Sequence, residues 1–186
     1  MICMCRTSNI LSIEWLEQSA KEQKVLDTND FLLLGDREAE KTYKFSMADT
    51  LKNGALARNE RGGVLGGWHI YVCSGVPGNK APPANELKLL IEAAGATLLQ
   101  SLSEKYVTDP AKTIIITSDP ATKSQEKESG VDRVSGIGGR ICTTSWLFHT
   151  MITQTVDDEK IGQTSKRKAD TKSPLSAGKR KSARRS

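Results

Sequence analysis

Residues 141–151 read ICTTSWLFHTM, and residues 10–20 read ILSIEWLEQSA. When the chain is shifted by 131 positions, six of the 18 residues from position 10 onward match those from position 141 onward: Ile10, Trp15, Leu16, Gln23, Val25 and Asp27. In both copies a Ser or Thr precedes a helical pattern, as helix N-caps do, and a tryptophan follows at the third helical position. The shift predicts an internal repeat, with coincidence between two amphipathic helices as the alternative.

Strand and helix patterns alternate ahead of the second copy. WHIYVC (68–73) and TIIIT (113–117) are rich in β-branched residues, and the continuous apolar run of the second is typical of a strand buried on both faces. Shorter extended runs lie at 97–99 and 141–142, and the polar stretch 118–130 predicts a loop. The order strand, helix, strand, strand, helix predicts a parallel α/β sheet.

The helix after the first strand has recognisable ends. Pro82 and Pro83 suit its first turn, and Gly95 suits the position just beyond its C-terminus. Its apolar residues recur at helical spacing: Leu87, Leu90, Ile91 and Ala94. This spacing predicts a helix with one face in the core.

The first copy is preceded by only nine residues, whereas residues 68–140 precede the second. Ser12 predicts the cap of a helix that carries Ile13, Leu16 and Ala20 on one face. Residues 10–11 predict the end of a strand, and the terminus with Cys3 and Cys5 is expected to be frayed. A connector follows in which Ser46 caps a helix with a weak apolar stripe: Met47, Thr50, Leu51 and Leu56. Compared with the second copy, the first is therefore expected to lack its first three strands and its first helix.

Composition excludes several classes of protein. The chain has 186 residues and a net charge of +5, but residues 160–186 carry a net +9, which leaves the first 159 at −4. A basic DNA-binding surface on the folded part is therefore not expected. No apolar run is long enough to span a membrane, the start does not resemble a signal peptide, and the four scattered cysteines suggest a reducing compartment. We find no pattern for a metal, a cofactor or catalysis, and His69 and His149 are interpreted as structural.

The basic segment 160–186 contains only two large aliphatic residues, so it is predicted to be disordered. Two clusters, ten residues apart, have the spacing of a bipartite nuclear import signal: Lys166, Arg167 and Lys168, then Lys179, Arg180 and Lys181. They predict an importin partner and a nuclear location. The alternative is a solvated tail that binds DNA nonspecifically and in a salt-dependent way.

The order of elements, the turn at Ala94-Gly95-Ala96 and the helices around Trp15 and Trp146 resemble a BRCT repeat. RTSNILSIEWLEQSAKEQKVLDTNDFLLLGD (6–36), FSMADTLKNGA (45–55) and GVLGGWHIYVCSGV (63–76) are similar to the C-terminal tandem BRCT module of DNA-damage mediators. That group includes the breast-cancer-susceptibility protein, the mediator of DNA damage checkpoint and PTIP. The resemblance extends over residues 6–159. It implies a four-stranded parallel sheet flanked by helices.

In that family the tandem pair binds a phosphoserine peptide between its repeats. A Ser/Thr-Gly pair after the first strand of the first repeat and a Lys hold the phosphate. That strand is absent here, and the Arg-Thr-x-Lys motif stands as Arg6-Thr7-Ser8-Asn9, without the Lys. The resemblance implies that Arg6 contacts the residue three positions after the phosphoserine, or a C-terminal carboxylate, with a solvated Arg6 as the alternative.

The second repeat retains its half of the implied groove. By matched position, Pro82, Thr144 and Phe148 would line the pocket for the residue three after the phosphoserine, with ordinary core packing as the alternative for Phe148. Ser74-Gly75 occupies this repeat's equivalent of the phosphate-binding pair. In the family that copy generally does not bind phosphate, so Gly75 is interpreted as a turn residue.

These inferences divide the chain into four parts. Residues 1–35 are the remnant of a first BRCT repeat, 36–66 a linker with a helix, 67–159 a complete second repeat, and 160–186 the disordered basic tail. We expect a truncated form of a tandem protein, whether a splice form, a fragment or a gene-model product. The resemblance implies a non-enzymatic nuclear scaffold of the DNA damage response that binds phosphorylated proteins, with phosphoserine binding impaired. The alternative is a nucleic-acid-binding chromatin or repair accessory protein that acts through the tail and a lone repeat.

Overall fold

The computed structural model describes residues 1–157, so the import clusters and the predicted tail lie outside the described residues. Its centre is a sheet of four parallel strands in the order β2-β1-β3-β4. The strands are β1 (His69–Val72), β2 (Thr97–Leu98), β3 (Thr113–Thr117) and β4 (Arg140–Thr143). The predicted α/β fold with a parallel four-stranded sheet is confirmed.

Helices precede the sheet and connect its strands. In the N-terminal segment they are α1 (Ile2–Arg6), α2 (Ile13–Lys21), α3 (Arg37–Tyr43) and α4 (Met47–Arg61). Those of the sheet-bearing unit are α5 (Ala84–Ala93), α6 (Lys123–Glu126), α7 (Val131–Gly136) and α8 (Thr144–Thr153). Short 3₁₀ turns lie at Asn29–Phe31 and Pro110–Lys112. No helix of residues 1–157 has the length and apolarity needed to cross a membrane.

The core lies on both faces of the sheet, because all five residues of β3 are buried. Side chains alternate along a strand, so Ile114 and Ile116 pack on one side and Ile115 on the other. The first side holds Leu90 and Ile91 of α5 and the buried apolar residues of α8, and the second holds Leu87 of α5 and Val131 and Val134 of α7. The sheet is thus covered by helices on both faces, as a parallel sheet requires.

The connections differ from the sequence predictions in three places. The stretch 118–130 is not wholly a loop, because α6 begins within it at a capping box of Thr122 and Gln125, and α7 follows. These helices are too short for apolar periodicity to reveal them. Helix α5 begins after Pro83 rather than at the prolines. Leu56 is half-exposed and does not belong to the buried stripe of α4.

The structure of the N-terminal segment differs more from the sequence predictions. The terminus is not frayed: it forms α1, and Cys5 is buried against α4, α5 and α8. The strand predicted at 10–11 is reduced to one antiparallel bridge between Leu11 and Leu32. The matching residue of the second copy, Cys142, pairs with Ile116 of β3. Leu11 has no such parallel neighbour, so a continuous strand does not form there.

Candidate functional site

Helix α1 joins the N-terminal segment to the sheet-bearing unit. It packs against α4, α5 and α8, and its buried Cys5 accepts a hydrogen bond at 3.1 Å from Nε2 of Gln154, just after α8. The Arg6 guanidinium donates to the backbone carbonyl of Glu92 in the last turn of α5, at 3.2 Å. This contact is favourable because the carbonyl end of a helix attracts cations. Arg6 therefore fastens α1 to α5.

Helix α4 holds the same junction from the other side. Arg58 donates to the Met4 carbonyl at 3.1 Å and to the Ser8 hydroxyl at 2.5 Å. The Thr50 hydroxyl donates to the Ile152 carbonyl of α8 at 2.7 Å. Gly54 allows α4 to approach α1 closely, because a Cβ at this position would lie 3.1 Å from the Met4 carbonyl oxygen. The junction is therefore a specific polar and apolar interface.

An apolar groove of about 620 Å³ opens beside the junction, between α1, α3 and α8. Met4 lines it from α1, Met1 from the position just before that helix, Tyr43 from α3, and Phe148 and Ile152 from α8. Unbranched methionine side chains adapt their shape to varied apolar ligands. The groove can therefore take an apolar side chain of a peptide.

The four residues predicted to line the peptide groove do not all come together. Phe148 lies in the groove and is only partly buried. Thr144 is buried at the first position of α8, and Pro82 lies in the turn before α5, where its carbonyl accepts a hydrogen bond from Gly78. Neither of them, nor Arg6, lines the groove. The methionines and Tyr43 were missed, because nothing in the sequence relates the terminus and α3 to α8.

The residues predicted to mark the fold lie at matching local positions. Trp15 and Trp146 are each the third residue of a capped helix, α2 and α8. Gly95 follows α5 with φ of +90°, and a Cβ there would lie 2.7 Å from the Gly62 carbonyl oxygen. Both the left-handed backbone and the close approach require glycine at this position.

A second polar cluster surrounds the turn after β1. The Glu128 carboxylate accepts hydrogen bonds from the Tyr71 hydroxyl at 2.5 Å, the Ser74 amide at 2.9 Å and the Ser74 hydroxyl at 3.1 Å. Burial and the nearby Glu128 raise the pKa of Tyr71, and burial and Glu128 raise the pKa of the Cys73 thiol to about 12. Both groups are therefore neutral at physiological pH.

The loop that carries Glu128 is fixed by Gln125, which is almost fully buried. Its amide nitrogen donates to the Ser74 carbonyl at 3.1 Å and to the Ser118 hydroxyl at 2.9 Å. Its oxygen accepts from the backbone amides of Ser118 and Thr122. The side chain thus ties the loop to the ends of β1 and β3. Within residues 1–157, no cluster of His, Cys, Asp and Glu is arranged to hold a metal ion.

Comparison with known proteins supports the fold. No protein-family model matches the chain. No curated protein matches its sequence. Among solved structures, the BRCT5–BRCT6 domains of S. pombe Brc1 are similar, with a TM-score of 0.62 and 17% sequence identity over 84% of this chain and 73% of that chain. The chain therefore has a BRCT-like fold, and the likeness extends well beyond the sheet-bearing unit, which is about half of the chain.

Proposed function

We propose that this chain is a BRCT-type protein-interaction module of the DNA damage response, and that it binds other proteins rather than catalysing a reaction. The observation that carries the proposal is the apolar groove at the junction of the N-terminal segment with the sheet-bearing unit. The likeness to a pair of BRCT domains supports it, because a groove beside a junction of two such units suits an extended peptide.

In this proposal residues 1–35 are the remnant of a first repeat, 36–66 the linker and 67–159 a complete second repeat. Phosphorylated nuclear proteins are the proposed partners, with the groove around Phe148 taking an apolar residue of the peptide. Phosphate recognition is impaired, because residues 1–157 contain no first-repeat strand with a Ser/Thr-Gly pair and Asn9 stands where the family's motif has its Lys. The peptide therefore binds through its apolar residue more than through its phosphate.

Fluorescence polarisation with the full chain tests how much of the binding comes from the apolar residue and how much from the phosphate. The probes are a pSer-x-x-Phe peptide, its unphosphorylated twin and a pSer-x-x-Ala peptide. We expect weak binding that is lost when Phe is replaced by Ala and changes little when the phosphate is removed. Phe148→Ala should remove the binding, whereas Leu89→Ala, at an exposed position of α5, should retain it. Tight, strictly phosphate-dependent binding would contradict impaired phosphate recognition, and binding indifferent to the Phe would rule out the groove.

The basic clusters at 166–168 and 179–181 support a nuclear location through importin. Deletion of 166–186 from a fusion too large to diffuse through nuclear pores should leave the protein outside the nucleus. Retained full import after the deletion would contradict this part of the proposal.

Nucleic-acid binding is the second candidate function, and the net +9 of residues 160–186 favours it. In this case DNA binding should weaken steeply with salt and should vanish when 160–186 is deleted, while peptide binding is unchanged. DNA binding that survives the deletion would assign it to the folded part instead.

A further inference from the structure

Helix α2 has an apolar face that the rest of residues 1–157 leaves uncovered. Ile13 is 66% exposed, Leu16 is 56% exposed, and no residue of α2 is buried. The stretch after the helix adds Val25 and Leu34, which are also exposed. We propose that residues 13–38, the α2 surface, are a docking site for the basic segment 160–186 of the same chain. The α2 surface shares no residue with the lining of the peptide groove, so this inference goes beyond the proposed function.

Hydrogen bonds hold the α2 surface together as one small structural unit. The Trp15 indole donates to the Leu26 carbonyl at 3.0 Å, and the Leu26 amide donates to the Ser19 hydroxyl at 3.2 Å. The bridge between Leu11 and Leu32 fixes the start of α2 to the same stretch. The exposed side chains of the helix and of the stretch that follows it therefore have a fixed arrangement.

The charge of the α2 surface favours a cationic partner. It has seven acidic and three basic residues, and this net charge of −4 equals that of residues 1–159 as a whole. All seven acids are exposed: Glu14, Glu17, Glu22, Asp27, Asp30, Asp36 and Glu38. Within residues 1–157, only Glu22 among them forms an ion pair, with Lys24 at 2.8 Å. The excess negative charge of residues 1–159 is thus concentrated beside the uncovered apolar face.

The basic segment 160–186 matches the α2 surface in charge and in composition. It carries a net +9, and Ile161 and Leu175 add large apolar side chains among its cations. Exposed ion pairs are individually weak, so several must act together. Two aliphatic residues cover only part of the apolar face, so α2 stays much less buried than α8.

The chain is long enough to make this contact. The Gln154 amide nitrogen lies 3.1 Å from the Cys5 sulfur, and Ile13 is eight positions after Cys5. Eight residues span at most about 29 Å, whereas the 21 positions from Gln154 to Leu175 extend to about 70 Å. Attachment to the same chain raises the effective concentration of the basic segment, so weak contacts suffice. While it is docked, its import clusters are shielded from DNA and from importin.

The test is carbodiimide cross-linking of the full chain, which joins a carboxylate to a lysine amine where the two groups are in contact. Mass spectrometry after digestion locates the linked pairs. We expect the lysines of 160–186 to link mainly to the seven acids of the α2 surface, with a yield that falls as salt is raised. Links spread evenly over all exposed acids would overturn the proposal, and so would a yield that does not depend on salt.

Two double variants with the same change of net charge distinguish a specific surface from general attraction. Glu14→Lys with Glu17→Lys reverses two charges of α2, whereas Glu60→Lys with Glu104→Lys reverses two exposed charges elsewhere. In the first variant, linkage to the remaining acids of the α2 surface should fall about fivefold, because two attractive charges become repulsive. In the second it should change little, and equal losses in the two variants would overturn the proposal.

Further variants separate charge from folding and from apolar contact. If the first double variant does not fold, Glu14→Gln with Glu17→Gln decides, because it keeps the size of both side chains. A lower yield supports the docking site, and an unchanged yield rejects it. Leu16→Ala keeps every charge and should lower the yield about twofold, since less apolar surface is covered. An unchanged yield in Leu16→Ala would reject docking on the apolar face.

A mixture of isotope-labelled and unlabelled chains shows whether the links form within one chain or between two. We expect links between lysines and acids that carry the same isotope label. Links mainly between labelled and unlabelled chains would assign the contact to a second copy and overturn the intramolecular proposal.

Discussion

Helices α2 and α8 share a local sequence pattern, but α2 is exposed and α8 is buried. Each begins after a hydroxyl side chain that caps it, carries a tryptophan at its third position and is followed by a glutamine with left-handed backbone, Gln23 or Gln154. In α8, Leu147 is fully buried, whereas the matching Leu16 of α2 is 56% exposed. Ile13 is 66% exposed, and no residue of α2 is buried.

The difference shows what each part of the fold contributes. Helix α8 follows β4 directly and packs against a sheet. Helix α2 follows a single bridge and has no sheet to cover it, and the main contacts with the sheet-bearing unit are made by α1 and α4. Leu16 and Ala20 are both exposed, so neither covers the helices of the sheet-bearing unit. Helix sequence alone does not create a buried face.

We expect the largest difference in stability between variants of the two helices at their matched leucines. Leu147→Ala should lower the free energy of unfolding by about 2–5 kcal/mol, because it removes a fully buried side chain and leaves a cavity. Leu16→Ala should change it by less than about 0.5 kcal/mol, as at other exposed sites. Urea denaturation of the full chain measures both. Similar losses in the two variants would show that the apolar face of α2 is covered in solution, which would break the comparison.

The matched caps should give an intermediate effect. Ser12→Ala and Thr143→Ala each remove an oxygen that accepts from the first turn, at a cost of about 0.5–2 kcal/mol to the helix. In α8 the loss should lower global stability, whereas in α2 it should only increase local opening. Hydrogen exchange separates the two cases, and Ser12→Asp and Thr143→Asp are controls that restore a cap. A global loss from Ser12→Ala would mean that α2 is coupled to the core.

The reactivity of the cysteines compares local opening of the N-terminal segment with that of the sheet, and needs no substitution. Cys3 is exposed, while Cys5 in α1 and Cys73 after β1 are buried and have raised thiol pKa values. At pH 8 we expect iodoacetamide to modify Cys3 first, then Cys5, then Cys73, because a five-residue helix opens locally more easily than the sheet. Mass spectrometry after timed labelling gives the order, and labelling in denaturant gives the intrinsic rates. Modification of Cys73 before Cys5 would place the weaker region in the sheet.

Sequence patterns predicted the elements with strong periodicity. TIIIT at 113–117, the apolar spacing from Leu87 to Ala94 and the capped tryptophan helices all correspond to observed elements. The helices at α6 and α7 were missed because they are too short for a period, although the Thr122–Gln125 capping box marks the first of them. Helix α1 was missed because Met1, Met4 and Cys5 have no pattern that distinguishes them from an unfolded terminus.

The sequence by itself determined local structure: where helices are capped and where a left-handed turn ends them. These depend on neighbours along the chain, and a hydrogen bond to a cap or a left-handed turn needs no distant partner. Only the tertiary structure decided that Leu147 is buried and Leu16 is not, that Met1, Tyr43 and Phe148 share a groove, and that the Glu128 carboxylate accepts hydrogen bonds from Ser74. Burial and electrostatic contact depend on distances in space between residues far apart in the chain, and no local pattern contains those distances.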